Sequence, residues 1–474
     1  MSEHRDIVSN KVKSLLGKRG FTSDPDLVDP WLTDWRGRYH GAAIGLASPS
    51  TTDEVAKIVK ICDQYNVPIV PQGGNSGMVG GATPDKSGNS LLLSLRRLNQ
   101  IRSFNMSANQ IICEAGVILQ DLQETVNKSG LRFPLTLGGK GSATIGGLVS
   151  TNAGGTQVLR HGTMRAQVLG LEAVLANGQI FNGLTALKKD NRGFDLKQLL
   201  IGSEGTLGIV TAANVRVLPE IEDRVVIWAS MKSIQQARQL LLFFQKEMSE
   251  ELEGFEIIPD HCLTSVIDYL PSARSPLSSR SDWNVLIEVV IPRGTQNDLR
   301  SKTERTLETA FEDGLLEDAV IASNESQAED FWLLRDSIAP AEKALGPAVQ
   351  HDISVAVERM PDFVETAVPN VQRKFPGTKA IAFGHLGDGN VHFHVLAPQN
   401  ADPGDWEFQE GKDISAYVYE MVADWGGSIS AEHGIGQVKR DELERLGDPV
   451  ALEIMRSVKT ALDPKGLLNP GKLI

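Results

Sequence analysis

Glycine is gathered into three dense runs in this 474-residue chain, and no other feature restricts its fold as much. The first, PQGGNSGMVGGATP, carries five glycines between Gly73 and Gly81; the second, TLGGKGSATIGGLVSTNAGG, spans 136–155; the third, IGSEGTLGIVT, covers 201–211. Glycine at such density means a backbone that turns sharply or lets something approach closely. Each run lies beside an apolar, strand-like or helical segment, and three unrelated surface loops are a poor explanation for all of them. Glycine with scattered Ser, Thr and Asn offers backbone N–H donors and small hydroxyls that a pyrophosphate or a ring edge can use without side-chain obstruction. A nucleotide site follows. The G-x-G-x-x-G of a Rossmann unit is missing from its strand-to-helix context, so a nicotinamide dinucleotide fold is not supported.

The rest of the chain divides by texture. Residues 51–70 read as a capped helix with Thr51 or Thr52 at the cap, Glu54 in the first turn and Val55, Ile58, Val59 and Cys62 on one face, followed by a short strand. Beyond Leu218 glycine thins out, and segments such as VVIWASM and WNVLIEVVIP alternate with amphipathic stretches such as SIQQARQLLLFFQKEM. A separate α+β unit is expected there, its antiparallel sheet exposed on one side. The expected organisation is a nucleotide-binding domain over 1–220, a second domain over 221–425, and a mainly helical closing segment over 426–474 whose final helix is stopped by prolines.

Bulk properties narrow the partners. At this length one hydrophobic core is not the default. A formal charge of −13 repels phosphate backbones and anionic lipids while allowing a local positive pocket for an acidic ligand, so nucleic acid is not an expected partner. No stretch approaches the roughly 20 apolar residues of a membrane helix, and the N-terminus shows no signal or transit pattern, so a cytoplasmic location is the expectation. Cys62, Cys113 and Cys262 lie far apart in apolar surroundings and read as reduced core thiols.

Five motifs in order, PQGGNSG, TLGGKGSATIGGLVSTNAGG, HGTMRAQVLGLEAVLANGQIF, LLIGSEGTLGIVT and LLNPGKL, resemble the vanillyl-alcohol oxidase and p-cresol methylhydroxylase superfamily of FAD enzymes, over about residues 35–474. The resemblance implies an α+β architecture: a two-subdomain FAD-binding (PCMH-type) domain, an α+β substrate or cap domain, and a C-terminal segment that returns to the flavin. It also implies a cofactor site, with Pro71, Gly73, Gly74, Asn75, Ser76 and Gly77 at the pyrophosphate. Gly138, Gly146, Gly147, Ser150, Thr151, Asn152 and Gly155 would line the ring and its phosphates, Gly205 and Ile209 would stand near the adenine or flavin edge, and Asn469 would come back to the flavin. Some members tether FAD through a histidine in the first loop; Asn75 stands there here, so non-covalent FAD is expected.

Histidines form the second informative pattern. Of nine in the chain, His385, His392 and His394 fall within IAFGHLGDGNVHFHV, and His433 lies in SISAEHGIG. Spaced by two in a strand-like segment, His392 and His394 point to one face, and the GDGN turn can fold His385 back beside them. Glu432 adds an oxygen ligand, and two imidazoles with one carboxylate suit a catalytic zinc. GHLGDGNVH followed by AEHGIG also resembles the D-2-hydroxyglutarate, D-lactate and glycolate oxidising branch of the superfamily. That resemblance implies a divalent metal on His385, His392 and Glu432, zinc before manganese by ligand type, and His433 as the base for the substrate hydroxyl. The reaction implied is oxidation of a D-2-hydroxy acid to the 2-oxo acid, with hydride passing to flavin N5.

For the substrate carboxylate the resemblance points to Arg335 in DFWLLRDSI, a bidentate partner by chemistry. The hydroxyglutarate enzymes carry a threonine, a lysine and an asparagine where this chain has Ala339, Gln350 and His394. Lys343, two helical turns beyond Arg335, or His394 would make good the missing charge, or the second substituent of the acid differs; 2-hydroxyglutarate, lactate and malate types all stay open. Electrons would pass to an acceptor such as an electron-transfer flavoprotein, a quinone or a cytochrome, and a homodimer is compatible with the pattern. An oxygen-using oxidase on the same fold and an electron-carrying flavoprotein without turnover are the alternatives; the Glu432–His433 pair favours catalysis over the latter.

Overall fold

The computed structural model describes residues 2–295 and 298–474, which divide into two compact units. The first unit takes residues 1–155, 161–218 and 432–474; the second takes 156–160 and 219–431. The chain thus returns to the first unit at Glu432, and a five-residue piece between the second and third glycine runs belongs with the second unit. Among the described residues no helix is long and apolar enough to cross a membrane.

The first unit holds a four-stranded and a five-stranded sheet. A four-stranded sheet runs Phe21–Thr22, Leu46–Ala47, Leu91–Ser94, Ile69–Gln72, with Leu91–Ser94 parallel to both of its neighbours. Its helix, Thr52–Tyr65, begins where Thr51 accepts a hydrogen bond from the Glu54 amide and ends on Asn66 in the left-handed region, so the capped helix read from residues 51–70 is present. Val55, Ile58, Val59 and Cys62 form its buried face over Ile69, Leu91 and Leu93. The following strand is Ile69–Gln72, two residues later than the apolar run suggests. A five-stranded antiparallel sheet is ordered Ile101–Asn105, Gln110–Glu114, Ile209–Arg216, Val168–Val174, Ile180–Gly183, with a separate core from Ile111 to Val217. The unit therefore has two subdomains, and all three glycine runs belong to it.

The second unit is built on a seven-stranded antiparallel sheet. Its order is Asp318–Ile321, Ile221–Met231, Trp283–Pro292, Leu252–Pro259, Lys379–His385, Asn390–Leu396, Ala348–Ser354. Helices cover both faces, which corrects the expectation of one exposed side. Asp260–Tyr269, Glu325–Asp336 and Ile338–Leu345 pack with one another over Val226, Trp228, Ile258, Leu286 and Phe383. On the alternate residues lie Ile234–Glu247, Leu299–Glu312, Met360–Lys374 and Glu410–Asp424. The physical reason is visible in the strands themselves: Leu252–Pro259 is buried at every position, and continuous burial belongs to a sheet covered on both faces. The closing segment is less helical than its composition suggests, since residues 425–439 form turns before the helices Arg440–Leu446 and Pro449–Leu462.

Candidate active site

In the first unit the three glycine runs meet. Loop 73–77 follows the strand Ile69–Gln72, and Arg96 holds it from below by donating to the carbonyls of Gly73 at 3.3 Å and Gly74 at 2.9 Å. A Cβ on Gly74 would stand 1.9 Å from the Ser142 carbonyl oxygen, so only glycine permits the first run to lie on the second. Asn75 takes a left-handed conformation and its amide donates to the Thr33 carbonyl at 2.8 Å, a structural tether. Ser76 and Gly77 continue the loop, and Gly139 faces it, with a Cβ there 3.8 Å from that of Ser76, whereas a Cβ on Gly138 would meet open space.

The second run becomes the short helix Ile145–Thr151, whose Gly146 amide bonds to the Ala115 carbonyl at 2.8 Å. Thr151 donates to the Gly147 carbonyl, and Asn152 ends the helix in the left-handed region while its side chain accepts from the Arg165 amide. The Ser150 carbonyl accepts the Glu204 amide at 2.8 Å, which joins the third run to the second. Gly205, at φ +74°, sits so close to Pro71 that a Cβ would lie 2.7 Å from the proline ring, joining the third run to the first. Gly155 packs on the Thr136 carbonyl. Ile209 is different: it is a core residue at the start of its strand, committed to packing beside Leu468.

Asn469 completes the cluster from the far end of the chain. Its backbone amide bonds to the Ile69 carbonyl at 2.8 Å, and its side-chain amide donates to the carbonyls of Glu204 at 2.7 Å and Gly81 at 3.0 Å. Asn469 Oδ1 and Thr144 Oγ1 are buried with no protein hydrogen-bond partner. Buried polar atoms are nearly always satisfied, so these two oxygens, set among exposed-amide glycine loops, suit a ligand rich in polar groups. The donor-rich, side-chain-poor lining fits the pyrophosphate and ring edge of FAD.

Glu204 is the one charged residue of the third glycine run. It is buried, has φ of 52°, and its carboxylate accepts the amides of Ile435 at 2.7 Å and Gly436 at 2.8 Å. Burial pushes its pKa up, against the pull of those two amides and of Lys439. Glu204 thereby clasps the turn that directly follows Glu432 and His433. Gln437 adds two bonds from its side chain to the carbonyls of Gly80 and Thr83.

In the second unit the strands Lys379–His385 and Asn390–Leu396 form a hairpin in which His385 pairs with Asn390. The GDGN turn does fold His385 back: its ring lies 5.2 Å from that of His392. Arg335, near the end of the helix Glu325–Asp336, reaches both rings, with NH2 at 3.4 Å from His385 Nε2 and 3.4 Å from His392 Nε2. Underneath lies Glu256, 1% exposed, in the strand Leu252–Pro259. One oxygen meets His385 Nδ1 at 2.5 Å and the other accepts from Arg335 Nε at 2.8 Å. Burial alone would raise the Glu256 pKa, but Arg335 and His385 overcome it and hold the carboxyl down at about 2. As an ionised acceptor it engages His385 at Nδ1, and the other ring nitrogen, Nε2, faces the Arg335 guanidinium. Burial, reinforced by His385 and Arg335, pushes the His392 pKa well below the ordinary histidine value, so that ring is a neutral imidazole. The neutral His392 ring and the His385 ring held at Nδ1 by a carboxylate are imidazole donors of the kind a divalent metal takes, with both Nε2 atoms 3.4 Å from Arg335.

The remaining candidates are placed as follows. His394 shares the face of His392, with ring centroids 6.4 Å apart, and its Nδ1 is hydrogen-bonded to Glu342. Glu342 is buried while Lys343 beside it is exposed, so the helix Ile338–Leu345 turns an acid inward next to His394 and its lysine outward. Gln350 is partly buried, opposite His394 in the neighbouring strand. Asp352, opposite His392, accepts from Asn390 at 2.9 Å, and its carbonyl accepts the Ala431 amide at 3.3 Å. Glu432 and His433 follow immediately in sequence as the first residues of the segment that rejoins the first unit. Glu256 had one local signal in sequence, a carboxylate inside the apolar run LEGFEIIP, and Glu204 had another, as the one charged residue of the third glycine run; Glu342 had none.

Comparison with known proteins identifies the family and the fold. Residues 220–473 match the family "FAD linked oxidases, C-terminal domain", and residues 43–183 match "FAD binding domain". The mitochondrial D-2-hydroxyglutarate dehydrogenase of Arabidopsis thaliana is 38% identical over 464 residues, 98% of this chain and 80% of the plant protein. That of Bos taurus is 38% identical over 453 residues, 95% of this chain and 80% of its own. A D-2-hydroxyglutarate–pyruvate transhydrogenase of Saccharomyces cerevisiae is 32% identical over 460 residues, 95% of this chain and 90% of the yeast protein. Among solved structures, p-cresol methylhydroxylase superimposes with a TM-score of 0.77 at 14% identity, covering 100% of this chain and 97% of that one. 4-Ethylphenol oxidase from Gulosibacter chungangensis gives 0.73 at 18%, with 100% and 97% covered; at such identities the likeness concerns the fold alone. The chain therefore belongs to the FAD-linked oxidases, FAD-dependent oxidoreductases of p-cresol methylhydroxylase-type fold, in the branch that holds the D-2-hydroxyglutarate dehydrogenases.

Proposed function

We propose that this chain oxidises a D-2-hydroxy acid to the 2-oxo acid and passes the electrons to an acceptor other than oxygen. The observation that carries the reading is Arg335 held by Glu256 against the Nε2 atoms of His385 and His392. A guanidinium beside two imidazoles can take a carboxylate while a neighbouring hydroxyl is received by the rings. The relatives named above for D-2-hydroxyglutarate support the same class.

His385, His392 and Glu432 would hold a divalent metal, zinc by ligand type. When bound, the metal would lower the pKa of the substrate hydroxyl and FAD would accept the hydride at N5. The chain's own residues do the rest. Arg335 binds and orients the substrate carboxylate, and Glu256 prevents that guanidinium from swinging away. His433 receives the hydroxyl proton, and the turn after it is kept in place by Glu204. Asn75, committed to the Thr33 carbonyl, leaves FAD untethered, so the flavin is held non-covalently by the glycine loops and Asn469.

The test is steady-state turnover of the flavin-loaded protein with D- and L-lactate, malate and 2-hydroxyglutarate, using an artificial electron acceptor and assaying the 2-oxo product. Turnover of D-acids with stoichiometric 2-oxo acid and no peroxide supports the proposal. Peroxide formation at the same rate would favour an oxidase, and absence of product from every acid would end the 2-hydroxy acid reading.

A further inference from the structure

Two slips of strand register in the five-stranded sheet of the first unit converge on one spot. Where Ile101–Asn105 pairs with Gln110–Glu114, Ile101 faces Cys113 and Ser103 faces Ile112, so Arg102 is an extra residue outside the ladder. Where Ile209–Arg216 pairs with Val168–Val174, Val210 faces Ala173 and Ala212 faces Glu172, which leaves Thr211 extra. An extra residue of this kind re-aims its side chain. Between the two slips Glu114, Ala212 and Glu172 stand in one cross-strand row, and the small Ala212 leaves room between the two acids.

Arg102 bridges that row. Its Nε donates to Glu114 at 3.1 Å, one terminal nitrogen donates to Glu172 at 3.0 Å, and the other donates to the Thr52 hydroxyl at 3.0 Å. The Thr52 hydroxyl in turn donates to Glu172 at 2.6 Å, and the Thr211 hydroxyl donates to the same carboxylate oxygen at 2.9 Å. Glu114 and Glu172 are each 8% exposed, so a charge left without a partner there is costly, and one guanidinium serves both. Thr52 does not belong to this sheet. It is the first residue of the helix Thr52–Tyr65, which packs over the four-stranded sheet, so the ionic junction ties one subdomain of the first unit to the other.

Both arms of the glycine-loop cradle start from this junction. From Thr52 the helix leads to the strand Ile69–Gln72 and so to the first glycine run. Beside Glu114, the Ala115 carbonyl accepts the Gly146 amide of the second run at 2.8 Å, and the Ala115 amide donates to the Thr211 carbonyl at 2.9 Å. The two runs meet where a Cβ on Gly74 would stand 1.9 Å from the Ser142 carbonyl oxygen, a fit that tolerates little drift. We infer that Arg102 is a positioning residue for the flavin: by holding Glu114, Glu172 and Thr52 together it fixes the spacing of the two subdomains and thereby sets the affinity for FAD. A ligand gripped from two sides binds more weakly when one side is loose, because the ordering cost then falls on the binding step.

The test reads FAD affinity and needs no substrate. The flavin-loaded full chain is diluted and free-flavin fluorescence at equilibrium gives Kd; the rise in melting temperature from no added FAD to saturating FAD is measured beside it. Arg102→Met should raise Kd about tenfold and shrink that rise, and Arg102→Lys, whose ammonium lacks the planar fork that meets three partners, should fall between Arg102→Met and the wild type. Thr52→Val cuts only the link to the helix, leaves the Arg102 pairs within the five-stranded sheet, and should raise Kd roughly three- to tenfold. Thr52→Ser keeps the hydroxyl and should stay within about twofold of the wild type. A network that merely stabilises the fold would lower the melting temperature equally with and without FAD and leave Kd unmoved. A Kd within about twofold of the wild type in folded Arg102→Met or Thr52→Val, or a Thr52→Ser as weak as Thr52→Val, overturns the inference. Should Arg102→Met fail to fold, the two Thr52 variants decide.

Discussion

Glu256 lies beneath Arg335, one carboxylate oxygen on the guanidinium at 2.8 Å and the other on His385 Nδ1. A single buried acid thus sets the orientation of two candidate ligands from different elements. Glu256→Gln keeps the shape but leaves Arg335 without its counter-charge and no longer fixes the His385 tautomer. We expect kcat/KM to fall about 10–100-fold, with a parallel loss of bound metal measured by elemental analysis. Stability should drop by about 3–5 kcal/mol in urea unfolding, because one partner of a buried ion pair is left uncompensated.

Glu204 joins the third glycine run to the turn after His433 through two backbone amides. Glutamine at this position offers one acceptor oxygen where two amides need one each. Glu204→Gln should cost about 1.5–3 kcal/mol per lost charge-assisted bond, and kcat should fall because His433 is less well placed. Flavin content and thermal melting measured together separate the two effects: reduced kcat with full flavin occupancy marks the displaced base.

Lys472 is buried near the C-terminus, and its ammonium makes a 3.3 Å bond to the Pro470 carbonyl. Burial lowers its pKa to about 8, with Arg440 acting in the same direction and Asp85 against. The unfolded chain therefore binds more protons than the folded one between about pH 8 and the ordinary lysine value near 10.4, and this group's contribution to stability rises with pH over that window. Lys472→Met removes the effect. The melting temperature of the wild type relative to that variant should rise between pH 7.5 and pH 10, and a flat difference would show that the amine is not desolvated.

Much of the fold is legible in the sequence. The glycine runs announced close backbone approach, and the loops built from Gly74, Gly155 and Gly205 pack at distances no Cβ permits. His392 and His394 share a face because strand periodicity is two, and the GDGN turn returned His385 to them. What escaped was the set of acids that hold those residues. Glu256 and His385 are separated by 129 positions, Glu204 and Ile435 by 231, and no local pattern records such a pairing. The exposed sheet face expected from apolar segments alternating with amphipathic stretches is absent from these strands, whose runs Leu252–Pro259 and Trp283–Pro292 are buried almost throughout. Helical spacing from Arg335 does not carry to Lys343, because the helix Glu325–Asp336 ends before it and the next helix, Ile338–Leu345, turns Glu342 inward and leaves the lysine exposed.

The most direct measurement is anaerobic mixing of the flavin-loaded protein with each enantiomer of a 2-hydroxy acid panel, following flavin absorbance with and without prior treatment by a chelator. Bleaching by D-acids only, abolished by the chelator and restored by zinc or manganese, is the predicted result. No bleaching by any acid with flavin and metal both bound would contradict the D-2-hydroxy acid assignment, and bleaching unaffected by the chelator would contradict the role given to His385, His392 and Glu432.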